Sequence, residues 1–357
     1  MNPIRLLDLG RVSPLRSQTV YHAVAYAMAP DDPDTIILVS PTDPYVCIGY
    51  HQDLEKEVDL AFCQAHGLPV LRREVGGGAV YLDDGQVFTQ WVFHQGHLPQ
   101  TLEKRFELYV RPLVETYRAL GIDAYHRPIN DIHVAGKKIG GTGAAQIGLA
   151  EVVVGSLMFA FDKATMARVL KVTSEKMRDK IFESLEQYMT TMSEELQEIP
   201  DRQSVKDLYI TKCAAVLEAE IVPGEWTAKE EEMARQLDKR FVSDEWLYQK
   251  GGLRHVGVKI HEDVQVVETA FKAPGGLIRA TVRLREGRID DLAISGDFTL
   301  LPAFAVGALE QALRGLSARR ESLTGRIQEV YQALSIQSPG VTPEDFATAI
   351  GTAVGQD

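Results

Sequence analysis

Two stretches carry residue types that could do chemistry together. The first is Arg72-Arg73-Glu74-Val75-Gly76-Gly77-Gly78-Ala79-Val80-Tyr81. Consecutive glycines between apolar segments cost conformational entropy. They make sense where a ligand must touch the backbone, or where several N–H groups must point at one anion. Two arginines just upstream supply positive charge that neutral pH cannot remove. The combination reads as a cradle for phosphate or carboxylate; a glycine-rich hairpin with surface arginines fits the same residues. The second stretch is Asn130-Asp131-Ile132-His133-Val134-Ala135-Gly136-Lys137-Lys138-Ile139-Gly140-Gly141-Thr142-Gly143. A lysine at the end of a hairpin and followed by glycines can project into a pocket. There it can hold a carboxylate and a phosphate and stabilise charge developing between them. Asp131 is a candidate for a Mg²⁺ ion or a polar group of a nucleotide. A solvated hairpin tip is the plainer reading of this stretch.

Other chemistries find no pattern. A GxxxxGK[ST] phosphate loop is missing. Gly141-Thr142-Gly143-Ala144-Ala145-Gln146 fails the dinucleotide fingerprint at its last position, and Ser156 lacks the second glycine of a nucleophile elbow. His94 and His97 are spaced i, i+3, outside any HExxH pattern, and read as loop residues rather than metal ligands. Cys47, Cys63 and Cys213 are distant from one another and show no CxxC spacing, which argues against a disulfide framework or a zinc site.

The elements that must position these stretches form an α+β pattern. Helices are predicted over 18–29, 54–66 and 102–120. Strands are predicted over 35–40, 46–49, 70–73, 79–82, 88–93 and 151–161, and the turn Ala135-Gly136-Lys137 reads as a hairpin. Helical, charge-rich segments follow over 165–170, 174–198, 206–219 and 228–240. The last third differs: strands over 256–269, 276–286 and 288–295 precede helices over 301–316 and 320–334, and one short helix after Pro339. The expected architecture is therefore mixed sheets flanked by helices over residues 1–250, with a small α+β accessory domain over 251–357 and a boundary near Lys250-Gly251-Gly252.

The 357 residues suffice for two or three domains. A net charge of −12 argues against a general nucleic-acid binder, though not against a local basic pocket. No apolar run approaches a membrane span, and the opening residues lack the apolar region of a signal peptide, so the expected location is the cytoplasm.

Taken together, the two stretches resemble the lipoate–protein ligase family, within the wider group of biotin and lipoate ligases and octanoyltransferases. The family's Arg-Arg-x-Ser-Gly-Gly-Gly-Ala-Val, followed by Asn-Asp and a Gly-x-Lys-[Ile/Val]-[Ser/Gly]-Gly segment, is matched in order here. Lys171–Lys180, Phe241–Trp246, Glu286–Asp290 and Gly296–Phe298 extend the likeness over nearly the whole chain. The resemblance implies a two-step reaction. ATP and lipoate form lipoyl-AMP, and a lysine of an acceptor lipoyl domain then takes the acyl group. It implies Lys138 as the catalytic residue bridging the lipoyl carbonyl and the phosphate. Arg73, Gly76, Gly77, Gly78, Ala79, Val80 and Tyr81 would hold the adenylate, with Asp131 on the nucleotide or Mg²⁺. Val75, Val80, Val154 and Leu157 could line a lipoyl tunnel or be core. The sequence departs from the family at Val75, where a serine is usual, at Leu82-Asp83 for His-Asp, at Gly85-Gln86 for Gly-Asn, and at Val154, where a histidine is usual. Three alternatives stand beside the ligase: an acyl transferase working through a cysteine thioester, a biotin ligase, and a non-catalytic adenylate- or lipoyl-domain-binding module. None of the cysteines follows Lys138 in the catalytic core, where the transferases place their nucleophile. The resemblance also implies that the C-terminal unit moves once the adenylate forms.

Overall fold

The computed structural model describes residues 3–249 and 264–352. Its spine is a six-stranded mixed sheet, in spatial order Gly143–Ile147, Ala150–Met158, Gln86–His94, Thr35–Pro41, Ile4–Val12 and Ile221–Pro223. The first four strands pair antiparallel, and the last two join in parallel. Side-chain alternation divides the sheet into two buried faces. Ile36 and Leu38 join Trp91 and Phe93 on one face. Ile37 and Val39 join Phe88 and Val92 on the other.

Each face is covered by a helix suited to it. Leu102–Ala119 is amphipathic and packs Phe106, Tyr109, Leu113 and Tyr117 into the first core. Pro14–Ala27 is buried nearly all round, because the helix Ala228–Phe241 lies against it on the side away from the sheet. It begins earlier than its apolar spacing predicts. Ser13 caps it by accepting from the Arg16 N–H, and Pro14 occupies the first turn, where its missing N–H costs nothing.

Two small sheets carry the chemistry-bearing stretches. In one, Tyr45–Ile48 lies between Val70–Arg72, in parallel, and Val80–Leu82, antiparallel. The two strands flanking the glycines therefore do not pair with each other, and the glycine segment is a crossing loop rather than a hairpin. In the other, Ala124–Arg127, Asp131–Val134 and Lys137–Gly141 form an antiparallel meander. Its tip is Ala135-Gly136, both at positive φ. Lys138 thus lies within the third strand instead of at the tip.

Two long helices expected from the sequence are broken. Residues 54–66 form Leu54–Glu57 and Leu60–Ala65, because Asp59 caps a new start by accepting from the Phe62 N–H while the Asp59 N–H donates to Val169 O. Residues 174–198 form Glu175–Tyr188 and Met192–Glu195. The break falls where Met189 bridges to Lys138 and the Thr190 N–H donates to Lys138 O. Tertiary hydrogen bonds outcompete helix propensity at both places.

The strands Val264–Ala273, Gly276–Arg285 and Arg288–Gly296 form an antiparallel meander, backed by Ala305–Leu313, Arg320–Leu334 and Pro343–Gly351 around a separate core. The helix expected from Leu301 starts only at Ala305. Leu301 instead exchanges both backbone bonds with Gln337 and is followed by Pro302. The expected boundary near residues 250–252, and the start of the strand expected over 256–269, lie outside the described residues.

Candidate functional site

The two arginines before the glycines face inward. Arg72 is fully buried. Its guanidinium donates to the carbonyls of Gly49, Tyr50, Gln52 and Leu247 at 2.7–3.2 Å. Burial pushes it down to about 10, still protonated at neutral pH. Arg73 donates to Cys47 O at 3.1 Å, Gly76 O at 3.0 Å and Gly78 O at 2.9 Å. Three carbonyls around one guanidinium fix the loop's curvature. Arg73 thus brings positive charge to the loop while its N–H groups organise the backbone. Glu74 points the other way. It accepts from Tyr26 Oη and pairs with Arg240 at 3.1 Å, and burial raises its carboxyl.

The glycines are required by close approach. A Cβ on Gly49 would stand 1.9 Å from Gly77 O, and one on Gly143 would stand 2.4 Å from Val75 Cγ1. Gly77 itself has φ +96°, which L side chains rarely adopt. The loop is therefore sandwiched between Gly49 and Gly143, with its backbone exposed to a cavity on the remaining side.

Lys138 reaches that cavity from the hairpin sheet. Its Nζ lies 2.7 Å from Asp131 Oδ1, and its side chain is 38 % exposed. Asn130 ties the hairpin to the following segment: Thr142 donates to Asn130 O through its N–H at 2.9 Å and its Oγ1 at 3.1 Å.

The cavity measures about 340 Å³, within the range of small-molecule sites. Its walls include Arg73, Gly76, Gly77, Gly78, Ala79, Val80, Tyr81 and Lys138. All were proposed from the sequence as site residues, and the fold brings them to one place. Asp131 joins through its ion pair with Lys138. Val75, Val80 and Val154, read as tunnel lining or core, do both: they line the cavity and pack into the core behind it. Leu157 does not: Val154, Ser156 and Met158 face the cavity, so Leu157 points into the opposite core.

Several cavity residues escaped the sequence reading: Gln18 and Tyr21 from the first helix, Gln86, Phe88 and Gln90 from one strand, and Met189 beside Lys138. A legible signal existed for the strand. Gln86 and Gln90 are polar residues at period two in an otherwise apolar run, and both are only 2 % exposed. Gln86 Oε1 accepts from Ser156 Oγ at 3.3 Å, and Gln90 Nε2 donates to Ser17 O at 3.0 Å. Their other amide atoms, Gln86 Nε2 and Gln90 Oε1, are buried with no protein partner. Unpaired amide atoms in a cavity wall are costly unless a ligand or solvent pairs them.

None of the cysteines lines this cavity. All are buried thiols. Burial raises Cys47 and Cys213 and takes Cys63 to about 11, so none is an activated thiolate. Among the described residues, no group of three or more His, Cys, Asp or Glu side chains could hold a metal. Asp131 is committed to Lys138, and His97 to Asp34 at 2.7 Å. These residues do not build a resident divalent-cation site. Likewise, no described helix is long and apolar enough to cross a membrane.

This fold and site are those of the lipoyl ligase and transferase class. The family model for the lipoyl protein ligase A/B catalytic domain matches residues 14–214. The chain belongs to that family, within the biotin and lipoate ligase superfamily. It is 29 % identical over 277 residues to octanoyltransferase LipM of Kyrpidia tusciae, covering 70 % of this chain and all of that one. It is 25 % identical over 336 residues to lipoate-protein ligase LplJ of Bacillus subtilis, covering 90 % of this chain and 92 % of the other. Among solved structures, the bipartite lipoate protein ligase of Thermoplasma acidophilum, studied with its E2 lipoyl domain, has a TM-score of 0.63 at 28 % identity over 68 % of this chain and 95 % of that one. Lipoate-protein ligase A bound with ATP has a TM-score of 0.59 at 25 % identity over 68 % and 98 %.

Proposed function

We propose that this enzyme is an ATP-dependent lipoate–protein ligase, which activates lipoate as lipoyl-AMP and passes the acyl group to a lysine of a lipoyl domain. The observation that carries this reading is the convergence of Lys138 and the exposed backbone of residues 76–81 on one apolar cavity that no thiol enters. Joining a carboxylate to an α-phosphate brings two anions together. The site must supply positive charge and hold the reacting atoms in line. Lys138 supplies a mobile ammonium between the acyl carbonyl and the phosphate. Asp131 holds that ammonium in place until substrate arrives. Arg73 acts through the loop, bending it so that its backbone faces the phosphate, and adds a second positive charge. Val75, Val80, Phe88 and Val154 provide the apolar wall for the chain. Magnesium belongs to this reading only as part of the nucleotide substrate.

Two observations favour ligation over acyl transfer. A thioester route needs an accessible thiolate, and each thiol here is buried away from the cavity. LipM is covered completely by 70 % of this chain, whereas the ligase LplJ is matched through 90 % of it. The ATP-bound ligase and the ligase studied with its lipoyl domain supply the nucleotide and acceptor parts of the proposal by likeness. The cytoplasm, where lipoyl-domain enzymes and ATP are found together, is the proposed location.

The test is acyl transfer to an apo lipoyl domain, read by intact mass. The adduct should appear with lipoate, ATP and Mg²⁺ together and be absent when ATP is omitted. An adduct formed from octanoyl acyl carrier protein without ATP would overturn the proposal. Lys138→Ala should lower adenylate formation by at least about a hundredfold, the scale of losing one charge-stabilising group; unchanged turnover would remove Lys138 from its assigned role.

A further inference from the structure

Gln90 presents a problem that the acyl pocket as described does not solve. Its side chain is 98 % buried, since only 2 % of the residue is exposed. Its Nε2 is fixed by Ser17 O at 3.0 Å, which turns Oε1 into the cavity wall. That oxygen has no partner among the protein's groups. The helix wall beside it is also polar: Gln18 and Tyr21 line the cavity, yet both are engaged, Gln18 Nε2 donating to Tyr45 Oη and Tyr21 Oη donating to Gln18 Oε1. Beside the helix the network is closed except at Gln90 Oε1; the other open amide atom of the wall is Gln86 Nε2, which is a donor, so Gln90 Oε1 is the open amide acceptor. A plain alkyl chain would bury this acceptor against methylenes, a costly arrangement.

Resting on the ligase reading, which puts the anionic end of the substrate at Lys138 and the chain along Val75, Val80, Phe88 and Val154, the last of these paired across the sheet with Gln90, we infer that Gln90 reads the far end of the acyl chain and favours chains that carry a hydrogen-bond donor there. The class is a medium-chain carboxylic acid with a terminal or near-terminal thiol or hydroxyl. The dithiol form of lipoate belongs to it, with two S–H donors. The cyclic disulfide form and octanoate lack that donor and should enter the same pocket with lower affinity. Thiols are weak donors and hydroxyls strong ones, so a hydroxyl chain is the sharper probe. A site built around such a bond rejects the analogue lacking the donor more strongly than an apolar pocket rejects a missing methylene.

The test is direct binding of free acids to the full chain by calorimetry, without ATP. The wild type should bind 8-hydroxyoctanoate about tenfold more tightly than 8-methoxyoctanoate, which keeps the oxygen but removes the donor. In Gln90→Met, the ratio of the octanoate Kd to the 8-hydroxyoctanoate Kd should fall about tenfold from its wild-type value. A Gln90 that serves only to support the fold would weaken both acids alike and leave this ratio fixed. Equal wild-type affinities for the hydroxy and methoxy acids, a ratio unmoved by the substitution, or no binding of any acid would each overturn the inference. The wild-type comparison stands even if Gln90→Met does not fold. ATP-dependent pyrophosphate release with 8-hydroxyoctanoate and with lipoate is measured in parallel. Release with a flat binding preference defeats the role of Gln90 and spares the ligase. A donor preference without release supports Gln90 and defeats the ligase.

Discussion

His22 is fully buried between the first helix and the loop carrying Glu74. Its Nδ1–H donates to Gln18 O at 2.7 Å, and its Nε2 accepts the Glu74 N–H at 3.2 Å. The bond accepted at Nε2 requires the neutral ring, and burial lowers its pKa to about 3, against 6.5 in the unfolded chain, outweighing the Gln18 bond, which favours the charged form. Between those two values the unfolded chain takes up a proton that the fold refuses. Stability from this group therefore rises with pH from about 3 to 6.5 and is flat above. At pH 5 the loss is about 2 kcal/mol. Urea unfolding of the wild type and of His22→Gln at pH 5 and pH 7 should show the wild type losing about that much more than the variant on acidification; parallel losses would show that His22 does not set the slope. At this scale the sequence disclosed some roles and hid others. Lys138 and the glycines were legible because charge beside glycine has few uses. Arg72 was not, because nothing local says that four carbonyls from residues 49–52 and 247 will surround one guanidinium. Gln90 stood out only as a polar residue in an apolar strand; its partner Ser17, on a distant helix, was hidden for the same reason as those of Arg72.

The glycine loop shows what elements add to residues. Its strands pair with Tyr45–Ile48 rather than with each other, so its shape comes from what presses on it. Gly49 lies beneath it, and Thr299 of the C-terminal unit lies above. A Cβ on Gly49 would meet Gly77 O at 1.9 Å, and one on Gly76 would meet Thr299 Oγ1 at 2.7 Å and Thr299 Cα at 2.9 Å. The first clash is with backbone that Arg73 pins in place. The second is with a separate unit that can shift. Gly49→Ala should therefore destabilise the catalytic core by about 3 kcal/mol, at the upper end of overpacking, and abolish adenylate formation. Gly76→Ala should cost about 1 kcal/mol of global stability and act mainly by displacing residues 296–299. Calorimetric unfolding and limited proteolysis distinguish them; equal melting points for the two variants would show that the loop is not held asymmetrically. Alternation made the strands legible and also placed Val154 in the cavity. The same rule excludes Leu157, which a reading by apolar character alone had grouped with it. The breaks at Asp59 and Met189 were not legible, since their causes are a cap and a bridge formed only when distant strands meet.

Across the whole molecule, the C-terminal unit rests on the loop that the proposed chemistry needs. The Gly296 N–H donates to His51 O at 3.0 Å, Phe298 stacks on His51 with ring centroids 5.1 Å apart, and Asp297 Cβ lies 3.6 Å from the Cβ position of Gly78. Leu301 also packs into the first core of the larger unit. Polar links include Arg279 to Glu57 at 2.9 Å, Lys56 to Glu268 at 3.0 Å, and the Leu102 N–H to Gln337 Oε1 at 2.7 Å. The unit has its own apolar core, so it can leave this surface without unfolding. Ion pairs with partly exposed partners hold it only weakly. An adenylate lying on the backbone of residues 76–78 would alter the surface on which residues 296–299 rest. Adenylate formation should therefore release the C-terminal unit and open the cavity to the acceptor lysine. Small-angle scattering of the full chain with a non-hydrolysable lipoyl-AMP analogue should show a changed radius of gyration, and Arg279→Ala with Lys56→Ala should bring part of that change without ligand. Identical profiles with and without the analogue, at concentrations where calorimetry shows saturation, would mean that the acceptor is reached with the C-terminal unit in place. The acceptor lysine would then have to enter past Asp297 and Thr299, and substitutions there would alter the KM for the lipoyl domain while leaving adenylate formation intact.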